Sequence, residues 1–201
     1  MNPWTTVRQF ESIMADFFGS RYAISTDSCT HAIELCLRLK TPLQVTCPSQ
    51  TYISVPFTFA KLGIPWKFTT TVWKDFYRIG DTNIYDAAVL WRENSYIAGT
   101  LMCVSFQHQK HLSLGRGGII LLDDENDYHM LKMMRYDGRS SDEISWTQQD
   151  FSTIGYHYYM TPETAEQGIK KFQEVRNISP RIWTQKDYPY LPDMKVFKDA
   201  E

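Results

Sequence analysis

The feature that most constrains the fold is a regular alternation of short apolar runs with helical stripes. Tyr22-Ala-Ile-Ser25, Gln44-Val-Thr-Cys47, Pro65 to Thr69, Ile84-Tyr-Asp86, Leu101 to Phe106 and Gly118 to Leu122 all have strand length. Between and around them lie segments with helical spacing. Trp4 to Phe18 carries Val7, Phe10, Met14 and Phe17 on one stripe, with Gly19 as a stop. His31 to Lys40 is dense enough in Ile and Leu for a helix buried on more than one side, and Tyr52 to Leu62 ends at Gly63. A Met-rich helix opens at Asp124-Glu125-Asn126 and ends near Arg135. A last helix opens at Thr161, an N-cap residue, with Pro162 at the first helical position. Strands alternating with helices predict an α/β fold, a mostly parallel sheet flanked by helices. In such sheets ligands bind at the carboxyl ends of the strands, so polar residues at strand exits have first claim on chemistry.

The rest of the chain is less regular. Thr70 to Gly80 and Asp137 to Tyr159 read as loops, and the tail from Asn177 is rich in Pro, Tyr and Asp. The expected organisation is one unit over 1–176 and an extended tail over 177–201 that wraps the surface rather than building core. A chain of 201 residues is long enough for such a domain. A net charge of −2 gives no basic excess for nucleic acid, and no stretch approaches the length of an apolar membrane span. The opening residues lack a basic-then-apolar signal pattern, so a cytoplasmic location is expected. Cys29, Cys36, Cys47 and Cys103 show no paired spacing, which argues against a metal site and for reduced, buried thiols.

Three strand exits carry candidate chemistry. At Ser28-Cys29-Thr30-His31 a strand turns directly into a helix, whose free amides and dipole can cradle a phosphate or simply form an ordinary N-cap. Asp86 ends an apolar strand; a carboxylate there needs a cationic or hydrogen-bonding partner, or it caps the following turn. Lys110 lies in a tight polar loop between two apolar strands, flanked by His108 and His111. A lone lysine is normally a solvated surface charge, whereas one held near apolar walls and other cations becomes a nucleophilic amine toward carbonyls.

These pieces stand in a longer series: Phe10-Glu11, Gly19 to Tyr22 and Ser28 to Ile33; Pro48 to Ser54, Gly63-Ile64-Pro65 and Phe68; Asp86-Ala87-Ala88; Ser105-Phe106, Lys110, Leu112, Gly115-Arg116-Gly117-Gly118 and Asp124; Met134 to Gly138; and Gly155 to Thr161. In this order they resemble the DegT/DnrJ/EryC1/StrS family of pyridoxal-phosphate-dependent sugar aminotransferases. The resemblance implies a reduced fold-type I transferase large domain without the C-terminal small domain. It implies that Lys110 forms the Schiff base with pyridoxal 5'-phosphate and shuttles protons, and that Asp86 pairs with the pyridinium nitrogen. It places Tyr52 against the ring face, and Thr30, the helix amides near His31, and Ser105 around the phosphate. His157 falls where the neighbouring subunit of a homodimer lends an Asn to the phosphate. The implied substrates are an amino acid donor, glutamate, and a nucleotide-linked keto-sugar.

The chain also departs from the family pattern. Val89 stands where Gln or His contacts the phenolic oxygen, Tyr159 where an Arg stands, Cys29 for the Gly of the phosphate turn, and Arg116 for the Glu before the paired glycines. A strand–helix unit between Phe68 and Asp86 is nearly absent. Two other readings follow from these departures: an inactive binding or regulatory protein of the same fold, or a half-enzyme completed by a partner chain.

Overall fold

The computed structural model describes residue 2 and residues 4–198. Residues 1, 3 and 199–201 of the two expected units lie outside the described residues. In chain order the elements are α1 (Trp4–Phe18), β1 (Tyr22–Thr26), α2 (Cys29–Lys40), β2 (Val45–Pro48), α3 (Ser54–Leu62), β3 (Trp66–Thr69), β4 (Tyr77–Arg78), β5 (Ile84–Asp86), β6 (Leu101–Ser105), β7 (Gly118–Leu122), α4 (Glu125–Arg135), α5 (Pro162–Val175) and α6 (Lys195–Lys198). Their ends follow local chemistry. Ser28 caps α2 by accepting the His31 amide at 3.2 Å, Asp124 caps α4 through the Asp127 amide, and Thr161 caps α5 through the Thr164 amide.

Five strands form one sheet in the order β1-β7-β6-β5-β4, and β2 and β3 form a separate pair. Every residue of β6 and β7 is buried, and successive side chains go to opposite faces. Met102, Val104, Ile119 and Leu121 enter a core with Val7, Phe10 and Met14 of α1 and Phe172 of α5. Cys103, Ile120 and Leu122 enter the other core with Ile33, Leu35 and Leu37 of α2 and Leu131 of α4. The period of two therefore generates three layers, helices on both faces of one sheet. Each fully buried Leu, Ile or Phe contributes about 1.5–3 kcal/mol relative to exposure. All four cysteines are free and buried on this framework.

The α/β class matches the expectation, but the sheet is mixed rather than mostly parallel. Only β5–β6 and β2–β3 are parallel; β1–β7, β6–β7 and β4–β5 are antiparallel. The segment joining β6 to β7 contains no helix and folds back as a loop, which returns the chain in the opposite direction.

A second correction concerns the tail. It does more than wrap the surface: Leu191 is fully buried and its N–H donates to the Ser49 carbonyl at 2.9 Å. Asp75 donates its N–H to the Trp183 carbonyl at 3.1 Å, and Gln50 Nε2 donates to the Tyr188 carbonyl at 3.1 Å. The tail is thus stitched to the loops that follow β2 and β3. Among the described residues no helix is long and apolar enough to cross a membrane.

Buried charge ties the layers together. Arg135 of α4 pairs with Glu11 of α1, and its Nη1 also donates to the Ser25 carbonyl of β1 at 2.9 Å. Glu11 in turn accepts the Ser25 amide at 2.8 Å. Each charge is matched by the other and by the strand backbone, as burial requires.

Candidate active site

The exits of β1, β5 and β6 converge on a cavity of about 400 Å³. Thr30, Tyr52, Asp86, Ser105 and Lys110 all line it. Thr30, Asp86, Ser105 and Lys110 belong to the three strand exits read from the sequence, while Tyr52 was expected from the family resemblance alone, and the sheet order brings β5 and β6 side by side so that Asp86 and Ser105 face one space. Gly118, at the start of β7, lets that strand pass directly beneath the first turn of α2. A Cβ there would overlap the Cys29 amide nitrogen and the Ser28 carbonyl carbon.

Lys110 is held by its loop rather than by a strand. Its N–H donates to the Gln107 carbonyl at 2.8 Å, and the loop is closed by Leu114 N–H to the Phe106 carbonyl at 2.8 Å and by fully buried Leu112. Burial pushes the Lys110 amine below the ordinary lysine range; facing Asp86 and Cys29 pull it back up, and nearby Arg181 presses it down again. Asp86 is displaced the other way. Burial raises its carboxyl above the usual carboxylate range, opposed by hydrogen bonds from Tyr77 and the Ala88 amide and by Lys110. Amine and carboxylate are thus each moved toward neutrality by the same loss of water, a pattern common where proton transfer is done.

The cavity lining also carries hydroxyls and amides. Thr30 and Ser54 share a hydrogen bond of 2.9 Å between the first turns of α2 and α3, and Ser105 Oγ accepts the Gln107 amide at 3.3 Å. Tyr52 precedes α3 instead of belonging to it and is 57% exposed at the mouth.

His31 and His157 are not among the lining side chains. The His31 ring pairs with Asp27 at 2.6 Å and stacks on Tyr158 at 3.7 Å, while Asp27 also pairs with Arg116 at 2.6 Å. His157 is mostly exposed and contacts Asp137 at 3.1 Å.

Several lining residues escaped the sequence reading. Tyr77 and Thr51 reach the cavity beside Asp86, and Trp73, Trp183 and Tyr188 build an aromatic wall. The Trp183 ring centre lies 4.9 Å from Lys110 Nζ, and Trp73 and Tyr188 meet at 5.5 Å. Their only signal was the aromatic richness of two segments without periodicity.

The model of the DegT/DnrJ/EryC1/StrS aminotransferase family matches residues 2–63 and 96–183. The chain belongs to this family. The stretch between those segments, which contains Tyr77 and Asp86 of the cavity lining, lies outside the matched residues. Solved structures share its fold. AtS13 from Actinomadura melliaura is 20% identical with a TM-score of 0.73, over 85% of this chain and 60% of that one. PseC from Helicobacter pylori, an aminotransferase involved in the biosynthesis of pseudoaminic acid, is 12% identical with a TM-score of 0.70, over 85% and 58%. The sugar aminotransferase CalS13 from Micromonospora echinospora is 16% identical with a TM-score of 0.69, over 85% and 60%. The family member described here therefore spans 60% or less of the length of each. Among curated proteins no match is found.

Proposed function

We propose that this chain is a pyridoxal 5'-phosphate-dependent aminotransferase that moves an amino group from an amino acid, glutamate, to a nucleotide-linked keto-sugar. The observation that carries the reading is the meeting of Lys110 and Asp86 in one cavity that Thr30, Ser105 and the first turn of α2 also line. That donor set fits the cofactor: a buried carboxylate suits a ring nitrogen, an amine suits a carbonyl, and hydroxyls at a helix N-terminus suit a phosphate. When bound, the cofactor supplies an electron sink for the carbon that gains or loses the amino group.

The roles of this chain's own residues follow from their surroundings. Lys110 Nζ would bond the cofactor carbonyl, and would later take and return a proton at a substrate carbon. Burial lowers its proton affinity and so increases the share of free amine at neutral pH. Asp86 would hold the ring nitrogen's proton, Tyr52 would cover a ring face, and Thr30 and Ser105 would hold the phosphate. The aromatic wall of Trp73, Trp183 and Tyr188 would keep bulk water from the amine. His31 would contribute its backbone, since its ring is engaged with Asp27 and Tyr158.

In this reading the unit of residues 1–176 carries the catalytic groups and the tail of 177–201 supplies the outer wall. A homodimer in the cytoplasm is part of the proposal, with His157, exposed on its own subunit, serving the site of a second copy. Val89, lining the cavity where the family places a polar contact, favours a second reading: a scaffold that binds the cofactor without turnover.

The test is the visible absorption spectrum of the protein with added pyridoxal phosphate, for wild type and Lys110→Ala, before and after glutamate. A lysine-dependent band that glutamate bleaches is expected. A lysine-dependent band inert to amino acids would favour the scaffold, and no lysine-dependent band would sink the aminotransferase reading and leave a scaffold of this fold with another role.

A further inference from the structure

Tyr77 and Asp86 stand directly opposite each other in the β4–β5 pair. The Tyr77 hydroxyl donates to Asp86 Oδ2 at 2.6 Å, and Thr51 Oγ1 lies 2.5 Å from the same hydroxyl. Because the Tyr77 proton is committed to the carboxylate, Thr51 is the donor in that second bond. The other carboxylate oxygen, Oδ1, accepts the Ala88 amide at 3.0 Å. All three side chains line the cavity, and their residues are 1%, 5% and 6% exposed for Thr51, Tyr77 and Asp86.

We propose that Tyr77, backed by Thr51, is a positioning residue that keeps the Asp86 carboxylate an oriented anion, so that the cavity recognises a protonated ring nitrogen and discriminates against a ring with carbon at that place. The proposal rests on the cofactor reading above. Tyr77 lies between the two segments that match the family model.

A carboxylate cut off from water is stable as an anion only if donors replace the lost hydration. Here one donor comes from the backbone and one from Tyr77, and each oxygen retains a further acceptor position. Burial and the neighbouring carboxylate push the Tyr77 hydroxyl far above its usual range, so it remains a donor at any working pH. The Thr51 donor polarises that hydroxyl and strengthens its bond to Asp86. Thr51 also precedes Tyr52 in the chain, so the relay couples the floor of the cavity to the residue at its mouth.

The experiment compares wild type, Tyr77→Phe and Thr51→Val. Binding of pyridoxal phosphate, and of its analogue with the ring nitrogen replaced by CH, is followed by quenching of tryptophan fluorescence. In parallel, the Asp86 carboxyl is titrated by ¹³C NMR in the cofactor-free protein. Wild type should prefer pyridoxal phosphate, and Tyr77→Phe should lose about tenfold of that preference. Its Asp86 midpoint should move up, with a smaller change in Thr51→Val. An unchanged preference, or equal weakening of both ligands with an unmoved midpoint, would overturn the proposal. Failure of wild type to bind pyridoxal phosphate would instead sink the cofactor reading and the ring-nitrogen role with it. The titration would still decide whether Tyr77 sets the charge of Asp86.

Discussion

Trp183 lies with its ring centre 4.9 Å from the Lys110 amine, and the Arg181 guanidinium lies 3.9 Å from the centre of the same ring. One aromatic ring thus has a cation from the tail and the amine of the site both close to it. The ring attracts the charged amine, while the loss of water and the nearby guanidinium oppose it. The net result is a depressed amine.

The first prediction concerns that amine. Its proton is disfavoured chiefly by burial, and Asp86 is the group that most favours it. Removing the carboxylate in Asp86→Asn should therefore lower the Lys110 titration further, so the free amine persists to lower pH. The check is the pH profile of Lys110 modification by an amine-directed reagent, read by mass spectrometry. The midpoint should fall below that of wild type, and a rise would show that Asp86 does not act on Lys110 as a charge.

Gly118 provides a test of how the sheet seats α2. Gly118→Ala places a methyl group against the backbone at Ser28 and Cys29, where no flexible side chain can yield. Stability should drop by about 1–3 kcal/mol. Urea unfolding monitored by circular dichroism measures it, and a change within a few tenths would contradict the close approach.

The Glu11–Arg135 pair should behave as a buried ion pair. Glu11→Ala leaves a guanidinium without its anion between α1, β1 and α4, at a cost of about 3–5 kcal/mol. The double variant Glu11→Leu/Arg135→Met should recover most of the loss, because neither charge is then stranded. Denaturant titrations of wild type and these two variants decide the point.

Acid sensitivity should be centred partly on Glu34. Burial would raise its carboxyl, but hydrogen bonds from Lys61 and Arg38 outweigh it and leave the group below the usual carboxylate range. A depressed folded value stabilises the protein above the unfolded glutamate range, and that contribution is lost as pH falls through the folded value. The stability gap between wild type and Glu34→Gln should be full at neutral pH and close in acid. A gap that does not change with pH would rule out the ionic contribution.

What could be read from the sequence follows the physics of each signal. β6 and β7 were visible because a strand buried on both faces must be continuously apolar, and Gly19 and Gly63 marked helix ends that the structure contains. Asp86 was visible because charge at the end of an apolar run is costly without a purpose, and Lys110 because it stands in a polar loop inside an ordered series of family-like motifs. β4 was not, since two residues cannot show a period, and with it Tyr77 was missed. Strand direction was misread because alternation does not reveal whether a loop returns or crosses over. The tail was misread because Trp183, Tyr188 and Leu191 follow no helical or strand spacing. Their burial depends on partners far away in sequence.

That distance has a kinetic consequence. Gln50 and Tyr188, which fasten the wall beside Lys110, are 138 positions apart, farther than the paired residues of β1 and β7, and we expect so remote a contact to close after the sheet. The sheet and its lysine can therefore assemble while the amine still faces open water. A chain arrested at that stage would meet any aldehyde in its surroundings without selection, which makes the order of assembly, and not only its end point, part of how such a site keeps its chemistry clean.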